Sequence, residues 1–166
     1  MFALFRHPME RAVGMYYYLQ GATWDPLYDS TLSKISLEEY ALSSLVENNW
    51  MTRFLVNKKG GKLNNEDLAA AKEIIRQKCL VGLFDKMEES MVRFEMYFGW
   101  RNKMSSKQKK CEKKWIKKGD DRHDHPMVEE GSSAWNALLQ HNLYDMELYA
   151  YAKQVFNEQG ELKKKK

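Results

Sequence analysis

The sequence predicts an α/β fold, helical for most of its length, with a short parallel sheet covered by helices. Three observations point there. Phe2-Ala3-Leu4-Phe5 is an apolar run that passes through Arg6 and Pro8 directly into a helical pattern. Cys79-Leu80-Val81-Gly82-Leu83-Phe84 is a second short apolar run, flanked by helical patterns, which favours a buried parallel strand. The rest reads as helix or loop. Two adjacent strands make a poor core, because each face needs cover and neither edge is protected. Two alternatives follow: an all-helical chain with misread strands, or a sheet whose remaining strands lie outside this chain.

Taken in order, residues 2–6 read as the first strand and 8–20 as a largely buried helix. Pro8 suits the start of that helix, since its missing N–H would have no partner there and its φ is already helical. Residues 21–33, with Pro26 and several Asp, Ser and Thr, read as a loop. Ser36-Leu37-Glu38-Glu39 has the spacing of a capping box and opens a helix to about Val46. Asn48 to Val56 either continues it or turns. Lys58-Lys59-Gly60-Gly61-Lys62 is a break, and Asn64 with Asp67 starts a helix running to about Lys78. The second strand spans 79–84 and is expected beside the first. Asp85 with Glu88 has capping-box spacing and opens a helix to 98, with Met87, Met91, Phe94, Tyr97 and Phe98 along one stripe. Residues 101–131 lack a period and are expected to be a mobile basic insertion outside the core. Residues 133–159 are helical again, with Leu138, Asn142, Asp145, Leu148, Tyr149, Ala152 and Phe156 at intervals of three or four.

A chain of 166 residues with 43% hydrophobic and 30% charged residues fits one domain with a sizeable core. Its longest apolar stretches are too short to span a bilayer, and Arg6 interrupts what would be the apolar part of a secretory signal. The net charge of +4 is uneven: Arg101 to Lys118 holds nine positive residues against Glu112 alone, Lys163 to Lys166 adds four more, and the remainder is net negative. Cys79 and Cys111 match no zinc or redox spacing.

Arg6 is the strongest candidate for chemistry. An arginine at a strand's C-terminal end, beside a helix start, offers a donor fork suited to phosphate, and an internal ion pair, with Glu10 for instance, is the equal alternative. Arg11, one turn on, could support the same anion or pair with Glu38 or Glu39. His7 has no neighbour that defines a dyad and reads as structural. Asn49, Thr52 and Arg53 form a polar cluster that an anion-facing loop or helix capping explains about equally. His123 and His125, beside Asp120, Asp121 and Asp124, superficially resemble metal ligands, but no fixed element pre-organises them and no metal is expected. The lysines of 101–118, with Trp115 among them, could contact a polyanion without specific nucleic-acid recognition.

Phe5-Arg6-His7-Pro8-Met9-Glu10-Arg11-Ala12-Val13-Gly14-Met15-Tyr16-Tyr17 closely resembles the 3′-phosphate-binding segment of carbohydrate sulfotransferases of the Golgi heparan and chondroitin type. Asn49-Trp50-Met51-Thr52-Arg53-Phe54-Leu55, Val81 to Asp85 with Glu89 to Phe94, and Asn142 to Ala152 with Phe156 resemble three further segments of that family in the same order. The resemblance covers most of 2–100 and 132–159. It implies a P-loop-like fold that binds 3′-phosphoadenosine 5′-phosphosulfate (PAPS) and passes its sulfonyl group to a carbohydrate hydroxyl or amine by in-line displacement. It further implies that Arg6 holds the donor's 3′-phosphate and that Arg53 lies near the donor or acceptor groove. Gly14 stands where the family has a serine sharing that phosphate, and a hydrogen bond to a charged group is worth about 1.5–3 kcal/mol. Only Met1 precedes Phe2, so the family's 5′-phosphosulfate loop, with its lysine, and its usual general base have no counterpart. The expectation is one truncated domain over 1–166, the C-terminal portion of a sulfotransferase, with no catalytic residue of its own. A non-catalytic polyanion-binding scaffold is the competing expectation.

Overall fold

The computed structural model describes residues 1–100, 104–120 and 125–161. Two strands, β1 (Phe2–Phe5) and β2 (Leu80–Leu83), and eight α-helices are found among them. The helices are α1 (Pro8–Gly21), α2 (Leu37–Leu42), α3 (Trp50–Leu55), α4 (Asn65–Lys78), α5 (Met87–Phe98), α6 (Ser106–Asp120), α7 (Ser133–His141) and α8 (Leu143–Glu161). Short 3₁₀ turns occupy Leu32–Lys34 and Phe84–Lys86. The fold is α/β, with a small open parallel sheet covered mostly by helices. The chain divides into two compact units, one of residues 1–6, 72–124 and 150–166, the other of 7–71 and 125–149.

The first unit is built on the sheet. β1 and β2 pair in parallel with Phe2 opposite Leu80 and Phe5 opposite Leu83. Every residue of β2 is buried, whereas Phe2 and Leu4 of β1 remain exposed. α5 packs on β2, and Gly82 is what lets it approach. A Cβ there would stand 2.5 Å from the Phe94 ring, 3.0 Å from Ser90 Cβ and 3.1 Å from Leu4 Cδ1. Ser90 closes the contact from the helix side: its hydroxyl accepts from Leu83 N–H and donates to Leu83 C=O. Arg93, buried on the same helix, lies 3.5 Å from the Phe156 ring and donates to the Phe156 carbonyl and to Glu89. An arginine can occupy such a site because its planar fork stacks on the ring and its charge is paired.

The second unit has a helical core. Met9, Ala12, Val13, Tyr16 and Leu19 recur every three or four residues on α1 and bury one stripe against Leu32, Tyr40, Ala41, Val46, Ala134 and Leu138. α2 packs on α7. The Tyr16 hydroxyl donates to Ile35 C=O at 2.7 Å, so the one polar atom on that stripe is satisfied. Burial pushes the Tyr40 phenol up to about 12, and it stays protonated.

Several elements differ from the sequence reading for identifiable reasons. The capping box at Ser36 and Glu39 forms, with N–H···O bonds of 2.7 and 3.1 Å, but α2 ends at Leu42 because the Ser43 hydroxyl and N–H turn back onto Tyr40 C=O. The box expected at Asp85 and Glu88 does not form: a 3₁₀ turn takes 84–86, and α5 begins after Lys86 with no side-chain cap. The stretch 133–159 is two helices, broken at Asn142. Part of the basic segment, thought aperiodic, is helix α6. Ser105 and Gln108 form a reciprocal cap at its start, and Lys and Gln are good helix formers. Residues 101–103 and 121–124 of that segment lie outside the described residues.

The close approach at Gly82 gives a direct test. Gly82→Ala is expected to lower unfolding free energy in urea by about 1–3 kcal/mol through overpacking against Phe94 and Ser90. A change below about 0.5 kcal/mol, the range of ordinary surface substitutions, would contradict this packing.

Candidate functional site

In the first unit, the two strands run parallel and so end at the same side of the sheet, where Arg6 follows β1 and Phe84 follows β2. Arg6 is half-buried, and its guanidinium lies 5.1 Å from the centre of the Phe84 ring. That ring supports one face of the guanidinium. The cleft bordering Phe84 carries Asp85, Glu88 and Glu89 against Lys86 and Arg93, a mixed lining that does not by itself favour an anion.

In the second unit, Gly14 is half-buried within α1. Arg11 pairs with Glu47 at 2.7 Å and stacks 4.1 Å over the Trp50 ring, rather than meeting Glu38 or Glu39. Those two carboxylates have other work: Glu38 accepts from the Ser133 hydroxyl and Glu39 closes the cap of α2. His7 packs among rings, 5.3 Å from Tyr149 and 6.4 Å from Trp135.

Asn49 and Thr52 are fully engaged in a buried junction. Asn49 adopts a left-handed backbone at φ 47°, which asparagine tolerates better than most residues. Its side-chain oxygen accepts from Tyr144 N–H at 2.8 Å and Asp145 N–H at 3.1 Å, capping the start of α8. Asp145 returns the favour to α3. Its carboxylate accepts from Met51 N–H and Thr52 N–H at 2.8 Å each and from the Thr52 hydroxyl at 2.7 Å. Each helix start thus supplies the acceptor for the other's orphan N–H groups. Burial lifts the Asp145 carboxyl above the usual carboxylate range, while the donors of Thr52 and Met51 and the charge of Arg11 pull it back.

Arg53 faces the turn that follows α3. It donates to Asn48 C=O at 2.8 Å, Asn48 Oδ1 at 3.0 Å, Gly61 C=O at 2.9 Å and Lys58 C=O at 3.3 Å. The turn it closes needs positive φ at Asn57 (53°) and Gly61 (76°). Beside it is a shallow cleft of about 370 Å³ lined by Trp50, Phe54, Asn57, Lys58 and Lys59. Trp50 and Phe54 stack with ring centres 5.1 Å apart, and Phe54 is 69% exposed. Lys58 is anchored to Asp67 at 2.7 Å.

Among the described residues no group of three His, Cys, Asp or Glu could hold a metal ion. His125 stacks on Tyr17 at 4.9 Å, while Asp121, His123 and Asp124 lie outside the described residues. Cys79 and Cys111 are both free thiols, the first buried and the second exposed. No described helix is long and apolar enough to cross a membrane. No protein-family model, curated protein or solved structure matches the chain.

Asp145, Glu47 and Ser90 escaped the sequence reading as functional partners. For Asp145 a signal was present: it and Asn142 occupy core-spaced positions in an otherwise apolar stripe, the pattern of a buried polar group that must find partners. Asp145→Asn is expected to destabilise the chain in urea unfolding by about 1–3 kcal/mol, since it turns an amide N–H₂ toward N–H donors. That loss outweighs the relief of removing a buried charge, because three donors converge on the carboxylate. Unchanged stability would show that the junction does not hold α3 in place.

Proposed function

We propose that this chain forms the nucleotide-3′-phosphate part of a sulfonyl-transfer domain, with PAPS as donor and a carbohydrate hydroxyl or amine as acceptor. One observation carries the reading: Arg6 stands at the C-terminal end of a parallel sheet, half-buried over Phe84, the residue in the equivalent place after β2. That side of an open α/β sheet is where ligands bind. The rigid guanidinium fork of Arg6 takes the donor's 3′-phosphate in a bidentate, charge-assisted contact. Gly14 marks the place of a second phosphate ligand in the resembling pattern but brings no hydroxyl. Arg53, by closing the turn at 57–61, shapes the wall of a cleft whose exposed aromatic surface and Lys59 suit a carbohydrate acceptor. In the transfer, the acceptor oxygen or nitrogen attacks sulfur, the sulfur–oxygen bond to the donor phosphate breaks in line, and adenosine 3′,5′-bisphosphate leaves. The acceptor's proton passes to water as the bond to sulfur forms.

A second reading rests on α6. Lys107, Lys109, Lys110, Lys113 and Lys114 are exposed on this helix, with Glu112 as the one carboxylate among them. Such a surface draws a polyanion in a salt-dependent way.

Calorimetry with adenosine 3′,5′-bisphosphate and adenosine 5′-phosphate tests the first reading. The 3′,5′-bisphosphate is expected to bind more tightly, and Arg6→Ala to weaken it by at least about one to two decades, the value of one of the two charge-assisted hydrogen bonds it removes. Equal affinity for the two nucleotides, or binding indifferent to Arg6→Ala in a chain that urea unfolding shows to be folded, would contradict the assignment.

A further inference from the structure

α6 is almost wholly exposed. Of its side chains from Ser106 to Ile116, only Glu112 and Ile116 are half-buried, and Ile116 lines the cleft beside α5 with Val92 and Met96. Those contacts fix which side of the helix faces water. At about 3.6 residues per turn, Lys107 stands opposite Ile116, with Lys110 and Lys114 on one side of it and Cys111 and Trp115 on the other. The outer side is therefore two stripes, one cationic and one carrying an indole that is 58% exposed. Apolar surface continues onto the end of α5. Met96, which shares the cleft with Ile116, and Tyr97 beside it leave most of their side chains in water. The carboxylates on that cleft, Asp85, Glu88 and Glu89, belong to the other end of α5, about two turns from Met96.

We propose that α6 docks on an anionic lipid surface, lying flat with its lysines among the headgroups and Trp115 in the interfacial layer. Charge complementarity is one ground, since Lys107, Lys110 and Lys114 project with Lys109 and Lys113 from one exposed helix. Shape is the other. A single strand of nucleic acid is held in a basic groove with several aromatic platforms. The lysine side of α6 is convex, lines neither cleft described above, and holds one ring. A helix bound in a protein groove needs apolar anchors through successive turns of one stripe, and only Cys111 and Trp115 stand on this one. A bilayer asks for less: cations and an aromatic ring that reach the same plane. Lysine stems reach outward with their heads at the phosphates while indole settles just beneath them. The inference rests on the second reading above, that α6 attracts anions, and makes no use of Arg6.

Flotation of the full chain with vesicles tests it, using phosphatidylcholine alone and an equimolar mixture with phosphatidylserine. Dextran sulfate serves as the soluble polyanion. Binding is expected to the phosphatidylserine vesicles and not to the neutral ones, and it should fall as salt rises. Lys110→Gln with Lys114→Gln keeps helix propensity and is expected to weaken vesicle binding at least about tenfold, each lysine contributing about fivefold near such a surface. Trp115→Ala is expected to weaken vesicle binding at least about threefold and to leave dextran sulfate binding unchanged. Alanine favours a helix, so that loss reads contact with lipid rather than unfolding of α6. Brominated phospholipid should also quench the emission of the unaltered chain more than that of Trp115→Phe. Binding to neither dextran sulfate nor vesicles would overturn this inference together with the second reading. Dextran sulfate binding without vesicle binding would overturn the lipid surface alone, as would equal binding to both kinds of vesicle or vesicle binding indifferent to Trp115→Ala.

Discussion

The pairing of Phe2–Phe5 with Leu80–Leu83 is the interaction on which the first unit depends. It joins segments far apart in sequence through four residues a side, so little of its stability comes from the ladder itself. Packing holds it. Gly82 admits α5 to near-contact, Phe94 and Phe156 fill the space, and Ser90 and Gln159 satisfy the backbone on the far side of β2. The same parallel pairing sets Arg6 and Phe84 at one end of the sheet. The candidate phosphate ligand therefore inherits its position from a strand register, and a slip of one residue would turn it to the other face.

The second unit is organised by buried polarity within an apolar core. Asn49 and Asp145 cap each other's helices, and Arg11, between Glu47 and Trp50, places a positive charge near the Asp145 carboxylate. The segment Asn49 to Arg53 therefore spends its conspicuous polar groups on architecture: two on helix starts, and the guanidinium on the carbonyls of the following turn. What remains for a ligand is the surface those bonds create, a shallow cleft with stacked aromatic rings and an exposed lysine.

The elements most legible in the sequence were those whose signals are local. Both strands, the Pro8 start of α1 and the reciprocal cap at Ser36 follow from short-range chemistry and agree with the structure within a residue or so. The cap at Asp85 failed because a 3₁₀ turn competed for the same residues, and α6 was missed although Ser105 and Gln108 carry the capping spacing. There the helix propensity of Lys and Gln, with the cap, outweighs lysine repulsion. Partners distant in sequence were not legible: nothing local indicates that Asp145 serves Thr52 or that Glu47 takes Arg11. Arg6 was found because strand, arginine and proline follow one another within a few residues.

The most direct test of the Arg6 assignment is NMR of the arginine side-chain Nε–H signals, titrated with adenosine 3′,5′-bisphosphate and separately with adenosine 5′-phosphate. Hydrogen bonding of the guanidinium to the 3′-phosphate should move the Arg6 signal with the first nucleotide and leave it in place with the second. An Arg6 signal that stays still with both, while the backbone amides of α6 shift, would contradict it and favour the basic helix as the anion site.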